Sequence, residues 1–287
     1  MVNNRGLSLL ELVRAALDED GAGDDLTTRA LVPPDQLARA VFLAKGTGVI
    51  AGIDAVTVTF QEIDSGLRLE VRSADGSAVS PGDVIAIVDG SLGSILRGER
   101  TALNFLTHLS GIATVANDVM QAIDGTTCRL RDTRKTIPGL RMLEKAAAAA
   151  GGATNHRFGL WDGVLVKDNH LAAVRGRDLG IQDAVRMARE SNPGVRIEVE
   201  VTSREEAREA AEAGVDELLL DNMSPAEVRE IVEALHGLPG RPLLEASGGI
   251  TLDNARDYAE TGVDFISMGA ITHSAPGLDI SLEVEFG

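Results

Sequence analysis

Beyond about residue 125 the chain alternates short apolar runs with stretches of helical periodicity. Apolar runs at 127–130, 163–166, 196–201, 217–220, 242–246 and 263–268 predict strands, and helices are predicted between them over 139–150, 181–190, 204–213, 225–235 and 252–261. Six strand–helix units within about 150 residues predict a parallel sheet with short connections. A complete eight-stranded barrel takes about 250 residues, so the pattern fits an incomplete barrel or an open sheet.

The first part of the chain follows a different grammar. Residues 8–20 place apolar side chains at helical spacing behind a Ser8 cap, and GAGDDLTT then reads as a loop. Short strands are predicted at 37–44 and 48–51, with a helix over 52–63. LRLEVR (67–72) alternates and predicts a half-buried strand, and DGSAVSPGDVIAIVDG predicts a strand between two turns. A long helical region covers 94–123, with an interruption expected near Ser110-Gly111. The tail LDISLEVEF alternates again and predicts a strand returning to the first domain. The expected organisation is therefore an N-terminal domain over 1–115, joined by the tail 276–287, and an α/β domain over 116–275.

Charge sharpens this picture. The chain has 287 residues and a formal charge of −17. Yet residues 129–170 carry eight cations against four acids, about +4. A basic island in an acidic protein points to a local anionic ligand rather than to a polyanion-binding surface. Aromatics at 3% and a pI near 4.7 argue against nucleic acid as partner. No apolar run approaches the roughly 20 residues of a membrane span. The N-terminus lacks the apolar core of a signal peptide. With a single cysteine, Cys128, a reducing cytoplasm is the expected setting.

The polar residues fall where a parallel α/β fold places its site. Each apolar strand ends in a polar cluster: RDTRK, KDNH, EVEVT, DN, ASGG and MGA. Strand C-termini converge on one rim, where such folds bind ligands. Arg131, Arg134 and Lys135 offer forks and a point charge for carboxylate or phosphate, set against a simple surface charge run. His156-Arg157 follows a glycine pair and invites an oxyanion role. Lys167, at a strand tip, could be a Schiff-base nucleophile, an anion clamp or a partner of Asp168. Glu198 and Glu200 share one face of their strand, and Asp221 ends the next; acids so placed could hold ribose hydroxyls or Mg²⁺. Ser247-Gly248-Gly249 and Gly269-Ala270 fit loops whose backbone N–H groups cradle a phosphate. Neither a P-loop nor a dinucleotide fingerprint occurs, and no organic cofactor is expected.

At GERTALNFLTHLSGIAT (98–114), RDTRKT…NHR…KDNH (131–170), EVEV (198–201), LLLDN (218–222), LEASGGIT (244–251) and MGAITHSAPGLDIS (268–281) the chain resembles the quinolinate phosphoribosyltransferase family. The resemblance implies an N-terminal α/β sandwich domain and an incomplete α/β barrel. It implies transfer from phosphoribosyl pyrophosphate to quinolinate with Mg²⁺, yielding nicotinate mononucleotide, pyrophosphate and CO₂ in NAD biosynthesis. It further implies a homodimer in which one subunit's N-terminal domain covers the barrel mouth of the other. The matching quinolinate clamp is Arg134, His156, Arg157 and Lys167, with Arg100 from the neighbouring subunit. Lys135 falls at the pyrophosphate end, and Glu200 and Asp221 match the acids for ribose and metal. Ser247, Gly248, Gly249, Gly269 and Ala270 match the 5′-phosphate loops. Alternatives are a same-fold transferase for another anionic heterocycle such as nicotinate, a Schiff-base aldolase on Lys167, and a non-catalytic phosphate-binding barrel.

Overall fold

The computed structural model describes residues 6–285. Twelve strands occur among them: β1 (Leu37–Ala44), β2 (Gly48–Val49), β3 (Arg68–Val71), β4 (Ala78–Val79), β5 (Val84–Ser91), β6 (Arg129–Arg131), β7 (Val164–Val166), β8 (Ile197–Val201), β9 (Glu217–Asp221), β10 (Leu243–Ser247), β11 (Phe265–Ser267) and β12 (Ile280–Glu285). Among the described residues, no helix is long and apolar enough to cross a membrane. The chain divides into two compact units.

The first unit takes the chain up to Asn117, together with Thr136–Gly152 and the segment from Ile271 onward. Its main sheet has the order β12-β1-β5-β3, antiparallel throughout. The C-terminal tail thus returns to this sheet, as its alternation predicts, with Ala40 opposite Val284 and Phe42 opposite Leu282. Phe42 and Phe60 meet edge-on, 6.0 Å between centroids, in a core of Ile, Val, Leu and Ala side chains. The first helix, Leu9–Asp20, opens on a complete capping box of Ser8 and Glu11.

The structure departs from the expected elements at several points. The loop expected over GAGDDLTT contains a 3₁₀ turn, Ala22–Asp24, and the start of a helix, Leu26–Leu31, which Asp25 caps by accepting from the Thr28 N–H. The long helix runs unbroken over Leu92–Ala122. Its Gly111 marks a close approach rather than an interruption: a Cβ there would strike the Pro276 carbonyl oxygen. Thr136–Gly152, placed with the second domain by sequence, packs in the first unit instead. Gly151 lies so close to the Ala113 carbonyl that no side chain fits, and Ala147 and Ala148 are buried.

The second unit holds the parallel sheet, order β6-β11-β10-β9-β8-β7. Six strands are present, as the apolar runs predict. Thr154 adds a single parallel bridge to Arg131 beyond the β6 edge. The helix Asp168–Arg175 has no periodic signature in the sequence, because its first turn lies within the KDNH cluster. The helix expected over 252–261 is shorter, Ala255–Ala259.

The pleat sorts this sheet into two kinds of residue. Val164, Val166, Ile197, Val199, Val201, Leu218, Leu220, Leu244, Ala246 and Ile266 form one apolar set. Alternating with them come Leu165, Lys167, Glu198, Glu200, Glu217, Leu219, Asp221, Glu245, Ser247 and Ser267. The apolar set makes the strands look like ordinary core. The polar set makes one face chemically unusual, since buried carboxylates need partners.

Candidate active site

A cavity of about 290 Å³ opens on that polar face. Thr133, Arg134, Lys135, His156, Arg157, Lys167, Glu200, Asp221, Glu245, Ser247 and Ser267 line it, with Leu165 and Leu219 as its apolar walls. Of the residues singled out from sequence, Arg134, Lys135, His156, Arg157, Lys167, Glu200, Asp221 and Ser247 are thereby brought together. Arg100 is exposed on the helix Leu92–Ala122 of the first unit and does not line the cavity.

The floor is a network of ions. Arg131 donates from Nη1 and Nη2 to both oxygens of Glu217 at 3.0 Å, and from Nη1 to Glu245 at 2.6 Å. Its guanidinium stacks 3.4 Å from the Phe265 ring centroid. Arg196 reaches the same Glu217 at 3.2 Å. Arg131 therefore serves the floor of the barrel. It was grouped by sequence with Arg134 and Lys135 as an anion ligand; strand pleating separates it from them, because Arg131 ends β6 with its side chain inward while the other two follow in the loop. The acids Glu217 and Glu245, interrupting otherwise apolar strands, were the signal that a buried cation must face them.

His156 is buried. Its backbone N–H donates to Asp132 Oδ1 at 2.8 Å, its ring Nδ1 accepts the Arg157 backbone N–H at 2.7 Å, and Nε2 lies 2.9 Å from Glu198 Oε2. Arg157 donates from Nη1 to the Gly163 carbonyl at 2.9 Å. Burial, and then the Arg134 charge, hold the Arg157 guanidinium below its ordinary pKa. Two cations kept close without full solvation form a strong anion site.

At the rim, Lys167 Nζ lies 2.8 Å from Glu200 Oε2. Burial, and then the Glu200 charge, raise the Asp221 carboxyl above the usual range, opposed by an Asn222 Nδ2 donor at 2.7 Å. A divalent cation arriving with a phosphorylated ligand would relieve that repulsion, and two adjacent carboxylates are the oxygen donors Mg²⁺ prefers. Lys135 is exposed, its N–H held by Thr133 Oγ1 at 3.0 Å. Beyond β10, Gly248 has φ +92, and a Cβ on it would run into Asn222. Gly248 and Gly249 do not open a helix directly, since Ala255 is the first helical residue after them. Gly269-Ala270 stand at the four-residue helix Ala270–His273.

Glu198 gives a pH signature. Burial, and then the charge of Glu217, push it up to about 7 from 4.5. The folded chain thus holds this proton more tightly than the unfolded chain does. Its contribution to stability is complete below about pH 4.5 and is lost as pH rises through about 7, by up to about 3 kcal/mol. Glu198→Gln removes that slope. Urea unfolding at about pH 5 and about pH 8 should show the variant gaining on the wild type at the higher pH. Parallel curves for the two proteins would show that Glu198 titrates normally.

Residues 25–110 match the N-terminal domain, and residues 112–283 the C-terminal domain, of quinolinate phosphoribosyl transferase. The chain belongs to the quinolinate phosphoribosyltransferase family. It is 40% identical over 279 residues to a probable carboxylating nicotinate-nucleotide pyrophosphorylase of Bacillus subtilis, covering 97% of this chain and 94% of that one. A mitochondrial decarboxylating quinolinate phosphoribosyltransferase of Nicotiana glauca is 37% identical, covering 96% and 82%. The solved nicotinate-nucleotide pyrophosphorylase of Francisella tularensis superposes with a TM-score of 0.91 at 36% identity, over 96% of each chain. Human nicotinic acid phosphoribosyltransferase shares the fold alone, at a TM-score of 0.56 and 13% identity. The family's fold therefore does not by itself decide between a dicarboxylate and a monocarboxylate ring; the residues of the cavity must.

Proposed function

We propose that this protein transfers phosphoribose from phosphoribosyl pyrophosphate to quinolinate, with decarboxylation to nicotinate mononucleotide, in de novo NAD biosynthesis. The observation that carries the reading is the gathering of Arg134, Arg157 and Lys167 together with Glu200 and Asp221 in the lining of one small cavity. Three cations exceed what a monocarboxylate requires and suit a ring bearing two. Ser247 with Gly248, Gly249, Gly269 and Ala270 is suited to the 5′-phosphate, and Lys135 to the pyrophosphate.

Glu200 and Asp221 would hold Mg²⁺ together with the ribose, and the ion would supply positive charge to offset that of the pyrophosphate. As pyrophosphate leaves, C1 of the ribose becomes positive, and the two carboxylates stabilise it. The ring nitrogen supplies the electron pair that forms the new bond to C1. The C2–carboxylate bond then breaks, its electron pair stays at C2 beside the positive nitrogen, and that carbon takes a proton as CO₂ departs. The cations bind and orient; no covalent nucleophile is needed. Arg100 acts from a partner subunit in a homodimer, and the protein works in the cytoplasm.

Incubation with quinolinate, phosphoribosyl pyrophosphate and Mg²⁺ should release CO₂ and nicotinate mononucleotide in equal amounts. Tight phosphate binding with neither product would sink this reading and favour a non-catalytic barrel.

A further inference from the structure

Loss of CO₂ leaves an electron pair at C2 of the ring, and a hydrogen must arrive there. The floor of the cavity holds a source for it. Glu198, Glu217 and Glu245 fall on one pleat face and are 2%, 1% and 1% exposed. Two guanidinium groups answer them: Arg131, buried alongside, and Arg196, whose side chain is 39% exposed. Three ionised acids against two cations would leave net negative charge in a layer without water. A buried acid avoids that cost by keeping its proton.

The hydrogen bonds point to the acid that keeps it. Glu217 accepts at both oxygens from Arg131, and again from Arg196, so it is served as a carboxylate. Glu245 accepts from Arg131 at Oε2 alone, and its Oε1 is buried without a hydrogen-bond partner. A bare charged oxygen in that place is costly, whereas a hydroxyl carries no charge to solvate. Two further groups face Glu245. Glu198 stands near it on β8, and His156 Nε2 lies 3.8 Å from Oε1. Burial, and then the Glu198 charge, raise the Glu245 carboxyl, against the opposing pull of His156 and Arg131. Of the three floor acids, Glu245 alone lines the cavity, on β10 between Leu219 of β9 and Phe265 of β11.

We propose that Glu245 is the catalytic acid that delivers the proton to C2 of the ring as CO₂ leaves. This deepens the quinolinate reading and rests on it. Once the ring nitrogen has bonded to the ribose, the bond from C2 to its carboxylate breaks and the electron pair stays at C2. That pair takes the proton from Glu245 Oε1, forming the C2–H bond, and the O–H electron pair remains on the oxygen. Glu245 is then a carboxylate bonded to Arg131, and it regains a proton from solvent when the product departs. Proton delivery traps the ring after CO₂ loss, so it commits the decarboxylation.

Infrared spectra of the whole protein near neutral pH give the first test. Wild type labelled with ¹³C-glutamate should show an isotope-shifted carboxylic-acid carbonyl band, which carboxylates lack, and Glu245→Gln should lose it. No such band in the wild type, or a band that survives Glu245→Gln and vanishes in Glu198→Gln, overturns the proposal. Single-turnover kinetics give the second test. Glu245→Gln keeps an acceptor for Arg131 but holds no acid. It should release pyrophosphate at close to the wild-type rate while CO₂ release slows at least about 100-fold, so that the ribosylated dicarboxylate accumulates. Glu245→Asp, which keeps an acid, should recover part of the CO₂ rate. Pyrophosphate and CO₂ slowed equally, or CO₂ release unchanged, would overturn it. Because the infrared band needs no turnover, a protonated Glu245 in a protein that makes no nicotinate mononucleotide would count against the function alone.

Discussion

Glu200→Ala and Asp221→Ala should each lower kcat about 100- to 1,000-fold, the range found when one preorganised electrostatic group is removed from a reacting centre. Both side chains lie at the ends of adjacent parallel strands, aimed into the same cavity. Glu200 is buried and Asp221 half-buried, so their charges act where water screens them poorly. Burial, and then the Glu200 charge, raise the Asp221 carboxyl. A fixed negative pair of this kind is stabilised most when positive charge appears on the ribose, which is a transition-state effect. Steady-state rates check it. A rise in KM with kcat unchanged would mean that the acids only bind ground-state substrate. Glu200→Ala also strips Lys167 of its 2.8 Å partner, so its effect on quinolinate KM should exceed that of Asp221→Ala.

Arg131→Met should cost about 3–5 kcal/mol of stability, because it removes the cation that two buried carboxylates share. Glu217 and Glu245 are each 1% exposed, and Glu198 lies beside them with burial already raising it. Arg196 would still face Glu217, whereas Glu245 would lose its 2.6 Å bond outright. Urea unfolding reads the loss, and thermal unfolding should shift down by on the order of 10 °C. Arg131→Lys keeps the charge but not the two-pronged bond to Glu217, and should recover less than half. A loss below about 1 kcal/mol for Arg131→Met would show that the floor acids are neutral and need no cation.

The rim was legible in the sequence because strand ends are marked twice, by the close of an apolar run and by the polar cluster after it. Lys167, Glu200, Asp221 and Ser247 were found this way, and the structure gathers them in one cavity. The floor was less legible. Arg131 is one letter of RDTRK, and its partners Glu217 and Glu245 lie 86 and 114 residues away, beyond the reach of any local pattern. Pleat parity across ELLLD and LLEAS held the clue, since both acids fall on the face that bears Asp221 and Ser247. Gly111 is opaque in sequence for a related reason. Its meaning depends on Pro276, which only the fold brings near. Composition could not place the helix Asp168–Arg175 either, as only Leu171 on it is buried.

The central claim is that the cavity holds a ring with two carboxylates and removes one of them. The most direct measurement compares initial rates with quinolinate and with nicotinate at saturating phosphoribosyl pyrophosphate and Mg²⁺, following nicotinate mononucleotide and CO₂ together. With one carboxylate missing, the cations of the cavity lose a partner, so kcat/KM for quinolinate should exceed that for nicotinate by at least about 1,000-fold, with one CO₂ per nucleotide. Equal or faster turnover of nicotinate, without CO₂, would contradict it.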